Sequence, residues 1–82
     1  MSSPAARQAA ANAELESPLT PREIELVGLL AEGMSNRALA ERVFLSEGTI
    51  KNHITKILAK LGAADRGAAV AAARARGLIP PG

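Results

Sequence analysis

The sequence predicts an all-α fold: a compact four-helix domain containing a helix-turn-helix, with helices over about residues 21–32, 36–43, 47–61 and 66–76. Three observations carry that prediction. Apolar residues recur at spacings of three and four along these stretches. Each stretch opens on a residue able to cap it, Thr20, Ser35, Ser46 or Asp65, and three of them close on Gly33, Gly62 or Gly77. The apolar residues, 48% of 82, are mostly Ala, Leu, Ile and Val, and Phe44 is the only aromatic, so cross-strand pairing has little material. That length suits one domain.

The first helix has the strongest start signal. Thr20 is a natural N-cap, Pro21 sits where its missing N–H costs nothing, and Glu23 can reach back to complete a capping box. Leu19 and Ile24 occupy the positions of a hydrophobic staple. Ile24, Val27, Leu30 and Ala31 then follow at helical spacing, and Gly33 is the expected stop.

The second helix is short, capped by Ser35, with Leu39, Ala40 and Val43 as its stripe. No Gly or Pro separates it from the next cap, Ser46, so the connection must be tight. In the third helix Ile50, Ile54, Ile57, Leu58 and Leu61 share one face. Asn52, Thr55, Lys56 and Ala59 lie opposite, with Lys51 on one flank and His53 and Lys60 on the other. The fourth helix follows Asp65 and is rich in alanine; Gly77, Leu78 and Pro80-Pro81 end it. Residues 1–17 are small and polar without a sustained apolar period, and are expected to be a flexible tail or a piece of linker, where a short alanine-driven helix would be marginal. The domain is placed at residues 18–79, and residues 80–82 form a C-terminal tail.

Charge is unevenly spread. Residues 1–34 carry Arg7 and Arg22 against Glu14, Glu16, Glu23, Glu25 and Glu32, a sum of −3; residues 35–82 carry eight Lys/Arg against Glu41, Glu47 and Asp65, a sum of +5. A basic half beside an acidic one suggests a face for a polyanion, although an ordinary solvated surface would read the same way. Without Cys and with one His, the chain has no disulfide, no metal site and no implied cofactor. No nucleophile has a placed base, and no glycine-rich phosphate loop occurs, so catalysis is not expected. No run approaches a membrane span and the first 17 residues hold no signal-peptide core, so no membrane association and a cytoplasmic location are expected.

The pair of helices around Ser46 carries the chemistry. A major groove admits one α-helix, which needs an apolar face anchored to its own domain and short polar groups facing out, flanked by cations. The third helix supplies all three. Asn52 can pair with adenine and Thr55 can bond a base edge or touch a thymine methyl. Two other readings stay open on the residues alone: a merely solvated amphipathic helix, and a helical protein-interaction module. The alanine-rich fourth helix permits close approach of a second copy, through Ala69, Val70, Ala72, Ala73 and Arg76, or reflects helix propensity only.

In combination the segments LTPRE at 19–23, LLAEGMSN at 29–36, LAERVFLSEGTIKNH at 39–53, ILAKLGA at 57–63 and GLI at 77–79 resemble the LuxR-type helix-turn-helix domain, also called the GerE or NarL type. The resemblance implies a four-helix DNA-binding domain that serves transcriptional regulation. Its third helix enters the major groove, and it dimerises through its fourth on operator half-sites. It implies base-edge contacts from Lys51, Asn52 and Thr55. It implies backbone-contacting or supporting roles for Thr20, Arg22, Ser35, Asn36, Thr49, His53, Lys56 and Lys60, and Ser46 at the helix N-terminus joins that set. An upstream regulatory domain and RNA polymerase are the further partners it implies.

Overall fold

The computed structural model describes residues 4–82. It is all-helical: α1 (Pro4–Ala13), α2 (Pro21–Ala31), α3 (Asn36–Val43), α4 (Glu47–Leu61) and α5 (Arg66–Ala75), with no strand among the described residues. The four expected helices are present within one residue of their expected bounds. α4 packs on α2, α3 and α5, and α5 also packs on α2.

Capping fixes where each of these helices begins. Thr20 Oγ1 accepts from the Glu23 N–H while a Glu23 carboxylate oxygen accepts from the Thr20 N–H, a complete capping box. Ser35, Ser46 and Asp65 accept from the backbone N–H groups of Ala38, Thr49 and Ala68. The ends also share one device. A backbone N–H beyond the helix bonds a carbonyl five residues back: Met34 to Leu29, Leu45 to Ala40, Ala63 to Leu58 and Leu78 to Ala73. The left-handed residue this requires is Gly33, Gly62 or Gly77 in three cases, and Phe44, at φ 58°, in the fourth. Phe44 therefore makes the tight turn between α3 and α4 that the sequence demanded without supplying a glycine.

The core runs between α2, α3, α4 and α5. Leu26, Val27, Leu39, Ile50, Ile57 and Leu78 are fully buried at its centre. On α4 the inward face is Ile50, Ile54, Ile57 and Leu61, with Leu58 half-buried, as the spacing predicts. The buried face of α2 is wider than its expected stripe: Leu26 and Leu29 are buried beside Val27 and Leu30, and Ile24 and Ala31 are half-buried. Two helices cover α2, so one narrow stripe would not suffice.

α1 is the fifth helix, in the region read from sequence as a flexible tail; residues 1–3 of that region lie outside the described residues. Its composition favours a helix, but ten residues are marginal in isolation. Docking completes it. Asn12 is bonded twice to Leu19, donating to its carbonyl and accepting from its N–H at 2.8 Å each. Gln8 donates to the carbonyl of Leu78, and Leu15, just past the helix, is buried in the core. Gln8 and Asn12 lie one turn apart on the same face.

Candidate nucleic-acid interface

Burying the isoleucine side of α4 forces its other side outward. Lys51, Asn52, Thr55, Lys56 and Ala59 are exposed, and Gly48 continues that face toward the N-terminus without bulk. Four short or flexible polar side chains thus lie on a helix face that no other described segment covers. The hydroxyl of Thr55 donates to the Lys51 carbonyl at 3.0 Å. That bond holds the rotamer and leaves the oxygen able to accept and the methyl free for apolar contact.

The N-terminus of α4 is capped by Ser46 and carries Glu47 in its first turn. Ser46 Oγ accepts from the Thr49 N–H at 3.1 Å and donates to Thr49 Oγ1 at 2.9 Å, so the Thr49 hydroxyl keeps its own proton to give outward. Ser46 is exposed and Thr49 is half-buried. The remaining N–H groups of the first turn carry the positive end of the helix dipole. His53 is half-buried on the flank of the same helix.

The residues expected to seat α2 and α3 near phosphates are less uniform. Thr20 and Ser35 are exposed caps whose oxygens already accept from the backbone, leaving their hydroxyl protons to donate. Arg22 is exposed, paired at 3.3 Å with Glu25. Asn36 is half-buried as the first residue of α3, and its Oδ1 is buried without a hydrogen-bond partner among the described residues. On α3, Arg37 and Arg42 are exposed cations that the sequence reading did not single out, and Arg37 pairs with Glu41 at 3.4 Å.

Lys60 is half-buried rather than free on its flank. Its ammonium reaches inward to Glu23 Oε1 at 2.6 Å and donates to the Pro18 carbonyl at 3.1 Å. Phosphate contact from this side chain would require breaking both bonds. Position on the flank, read from spacing, could not reveal a partner 37 residues away. Burial of the Glu23 carboxyl works to raise its pKa. Hydrogen bonds from Lys60 and the Thr20 N–H, with the Lys60 charge, outweigh burial and hold it below the ordinary carboxylate range.

Of the five residues expected on a dimer face, two turn inward. Ala69 and Ala73 are fully buried in the domain's own core, because the i, i+4 stripe of α5 packs on α2 and α4. Val70 and Ala72 are half-buried and Arg76 is exposed. The outward side of α5 is formed by Ala68, Ala71 and Ala75, which the sequence reading passed over because alanine gives no polarity contrast between faces.

Among the described residues no cluster of His, Asp or Glu could hold a metal ion, and no helix is long and apolar enough to cross a membrane.

Residues 17–73 match the family of bacterial regulatory proteins described as the luxR family. The chain is 46% identical over 77 residues to the DNA-binding transcriptional activator DevR/DosR of Mycobacterium tuberculosis, a match covering 93% of this chain and 36% of that protein. It is 43% identical over 60 residues to the transcriptional regulatory protein LiaR of Bacillus subtilis, covering 73% of this chain and 28% of that one. The crystal structure of the response regulator ChrA of a heme-sensing two-component system superposes with a TM-score of 0.76 at 45% identity, over 82% of this chain and 33% of that chain. The chain therefore spans about a third of the length of these relatives.

Proposed function

Since the chain belongs to the luxR family of bacterial regulatory proteins, we propose that it binds double-stranded DNA in a sequence-specific manner and thereby regulates transcription, with α4 as the recognition helix in the major groove. One observation carries this reading: Lys51, Asn52, Thr55 and Lys56 are exposed together on a helix whose opposite face is locked into the core by four isoleucine and leucine side chains. Lys51, Asn52 and Thr55 read base edges. Lys56 and the α4 N-terminus, with Ser46 and Thr49, meet phosphates, and Thr20, Arg22, Ser35, Asn36 and His53 support the backbone contacts. Binding of two half-sites would bring two copies together through the outward side of α5, where Val70, Ala72 and Arg76 are joined by Ala68, Ala71 and Ala75. The role is recognition rather than catalysis. A regulatory domain and RNA polymerase are the further partners of such a regulator.

Selection from random-sequence duplex DNA tests the reading directly. An enriched motif is expected, with affinity falling steeply as salt rises. Lys56→Ala should weaken binding to all duplexes and lower the salt slope by about one, whereas Asn52→Ala should change the preferred base at a cost of about 1–3 kcal/mol. If no motif is enriched and duplex DNA stays unshifted at micromolar protein, the chain is a protein-interaction module instead.

A further inference from the structure

Lys60 lies in the last turn of α4, and the bonds it makes tie that helix to the rest of the fold at one point. Glu23 Oε1 receives the Lys60 ammonium at 2.6 Å and the Thr20 N–H at 2.8 Å. Lys60 also holds the Pro18 carbonyl, in the segment that leads into α2. One carboxylate oxygen and one ammonium thus join the start of α2, the segment before it and the end of α4. The Glu23 side chain is 3% exposed and that of Lys60 is 23% exposed.

Stability alone does not call for an ion pair in such a place. Apolar side chains of similar size often serve a buried site equally well or better. What an ion pair adds is direction. The apolar contacts that hold the rest of α4 are non-directional, so packing shape alone opposes a small roll or slide of the helix. Base-edge hydrogen bonds do not tolerate it, since they form only over a donor–acceptor range of about half an ångström. Thr55 and Asn52 stand five and eight residues before Lys60, about 7.5 and 12 Å along the helix axis, within the same rigid rod.

We propose that the Glu23–Lys60 pair is a positioning lock for the recognition helix. It sets the roll and depth at which Lys51, Asn52 and Thr55 enter the groove, while Lys60 itself makes no phosphate contact. This rests on the DNA-binding reading above and deepens it: the pair governs discrimination between sequences, not attraction to DNA in general.

Glu23→Gln is the decisive variant. Glutamine also serves in capping boxes, so the bond to the Thr20 N–H and the start of α2 are retained while the ion pair is lost. The variant removes a negative charge from a DNA-binding protein, so electrostatics alone would tighten binding. Binding is measured, well below the unfolding temperature of each variant, to the duplex enriched by the unchanged chain and to poly(dI-dC). The expected result is an affinity about tenfold weaker for the enriched duplex, within the range for coupled residues, with none lost for poly(dI-dC). Lys60→Gln should reproduce that loss with an unaltered salt slope, and the double variant should lose no more than either single one.

Discrimination by Glu23→Gln equal to that of the unchanged chain would overturn the lock. So would a Lys60→Gln variant that weakens equally on both duplexes with a slope lowered by about one, the mark of a direct phosphate contact. If Lys60→Gln does not fold, Glu23→Gln decides alone. If the unchanged chain enriches no duplex, the DNA reading and the lock fall together; if it does and only the Glu23→Gln result is negative, the lock alone falls.

Discussion

Glu23 is buried and still ionised because its partners favour the charged form more strongly than burial disfavours it. Its folded-state pKa therefore lies below that of the unfolded chain. The sign follows: the stabilisation is present in full above the ordinary glutamate pKa of about 4.3 and is lost as pH falls through the lower folded-state value. Chemical denaturation as a function of pH should show stability declining in that acid window, with a shallower decline in Glu23→Gln. Equal acid slopes in the two proteins would rule out the carboxylate as a source of the pH dependence. Phe44 poses the opposite case, a residue whose side chain gains nothing from the fold. It is 93% exposed and sits at φ 58°, where a non-glycine residue costs about 1–2 kcal/mol. Phe44→Gly should raise stability by about 0.5–1 kcal/mol once the extra freedom of glycine in the unfolded chain is deducted. Phe44→Ala keeps the strain and should change stability by less than about 0.5 kcal/mol in urea unfolding.

Among the elements, α4 depends on long-range packing for its place and on local chemistry for its limits. Ile57 is fully buried between its neighbours, and Ile57→Ala should cost about 2–5 kcal/mol, read as a lower urea midpoint. DNA binding should fall only in step with the folded fraction, because Ile57 lies opposite the exposed polar face of α4. A variant of unchanged stability would mean that this face is not the anchored one. The same division explains what the sequence disclosed. The starts of α2, α3, α4 and α5 were legible because a cap and the N–H that donates to it lie three residues apart. The outward face of α4 was legible because isoleucine and polar residues alternate at helical spacing. The inward face of α5 was not, since alanine occupies both its sides and only packing on α2 and α4 selects Ala69 and Ala73. Nor was the αL turn at Phe44, where no glycine marks it. The Lys60 contact stayed hidden for a third reason: its partners lie 37 and 42 residues away, and a flank lysine on a helix looks the same whether it faces solvent or a buried carboxylate.

At the scale of the whole molecule the open question is what α1 contributes to the other four helices. Its attachment includes the two Asn12–Leu19 bonds, the Gln8–Leu78 bond and half-buried Ala11, while Leu15 belongs to the segment that follows. Those partners are backbone groups of the α2 entry and the α5 exit, so α1 clasps two distant parts of the chain without supplying a large side chain to the core. Intramolecular hydrogen bonds contribute about 0.5–1.5 kcal/mol each, so removing residues 1–13, with these three bonds, should lower stability by about 1.5–4.5 kcal/mol. The truncated chain should still fold, because α2, α3, α4 and α5 keep every contact among themselves and Leu15 remains. Its affinity for the enriched duplex should match that of the full chain. Of the charges on the molecule the deletion takes only Arg7, leaving the basic half proposed to attract DNA intact, and it removes no residue of the α4 face. Circular dichroism during thermal unfolding and binding to the enriched duplex check the two halves of this prediction. Loss of the helical signal at low temperature would make α1 part of the folding unit, and weakened binding by a fully folded truncated chain would place α1 in the interface.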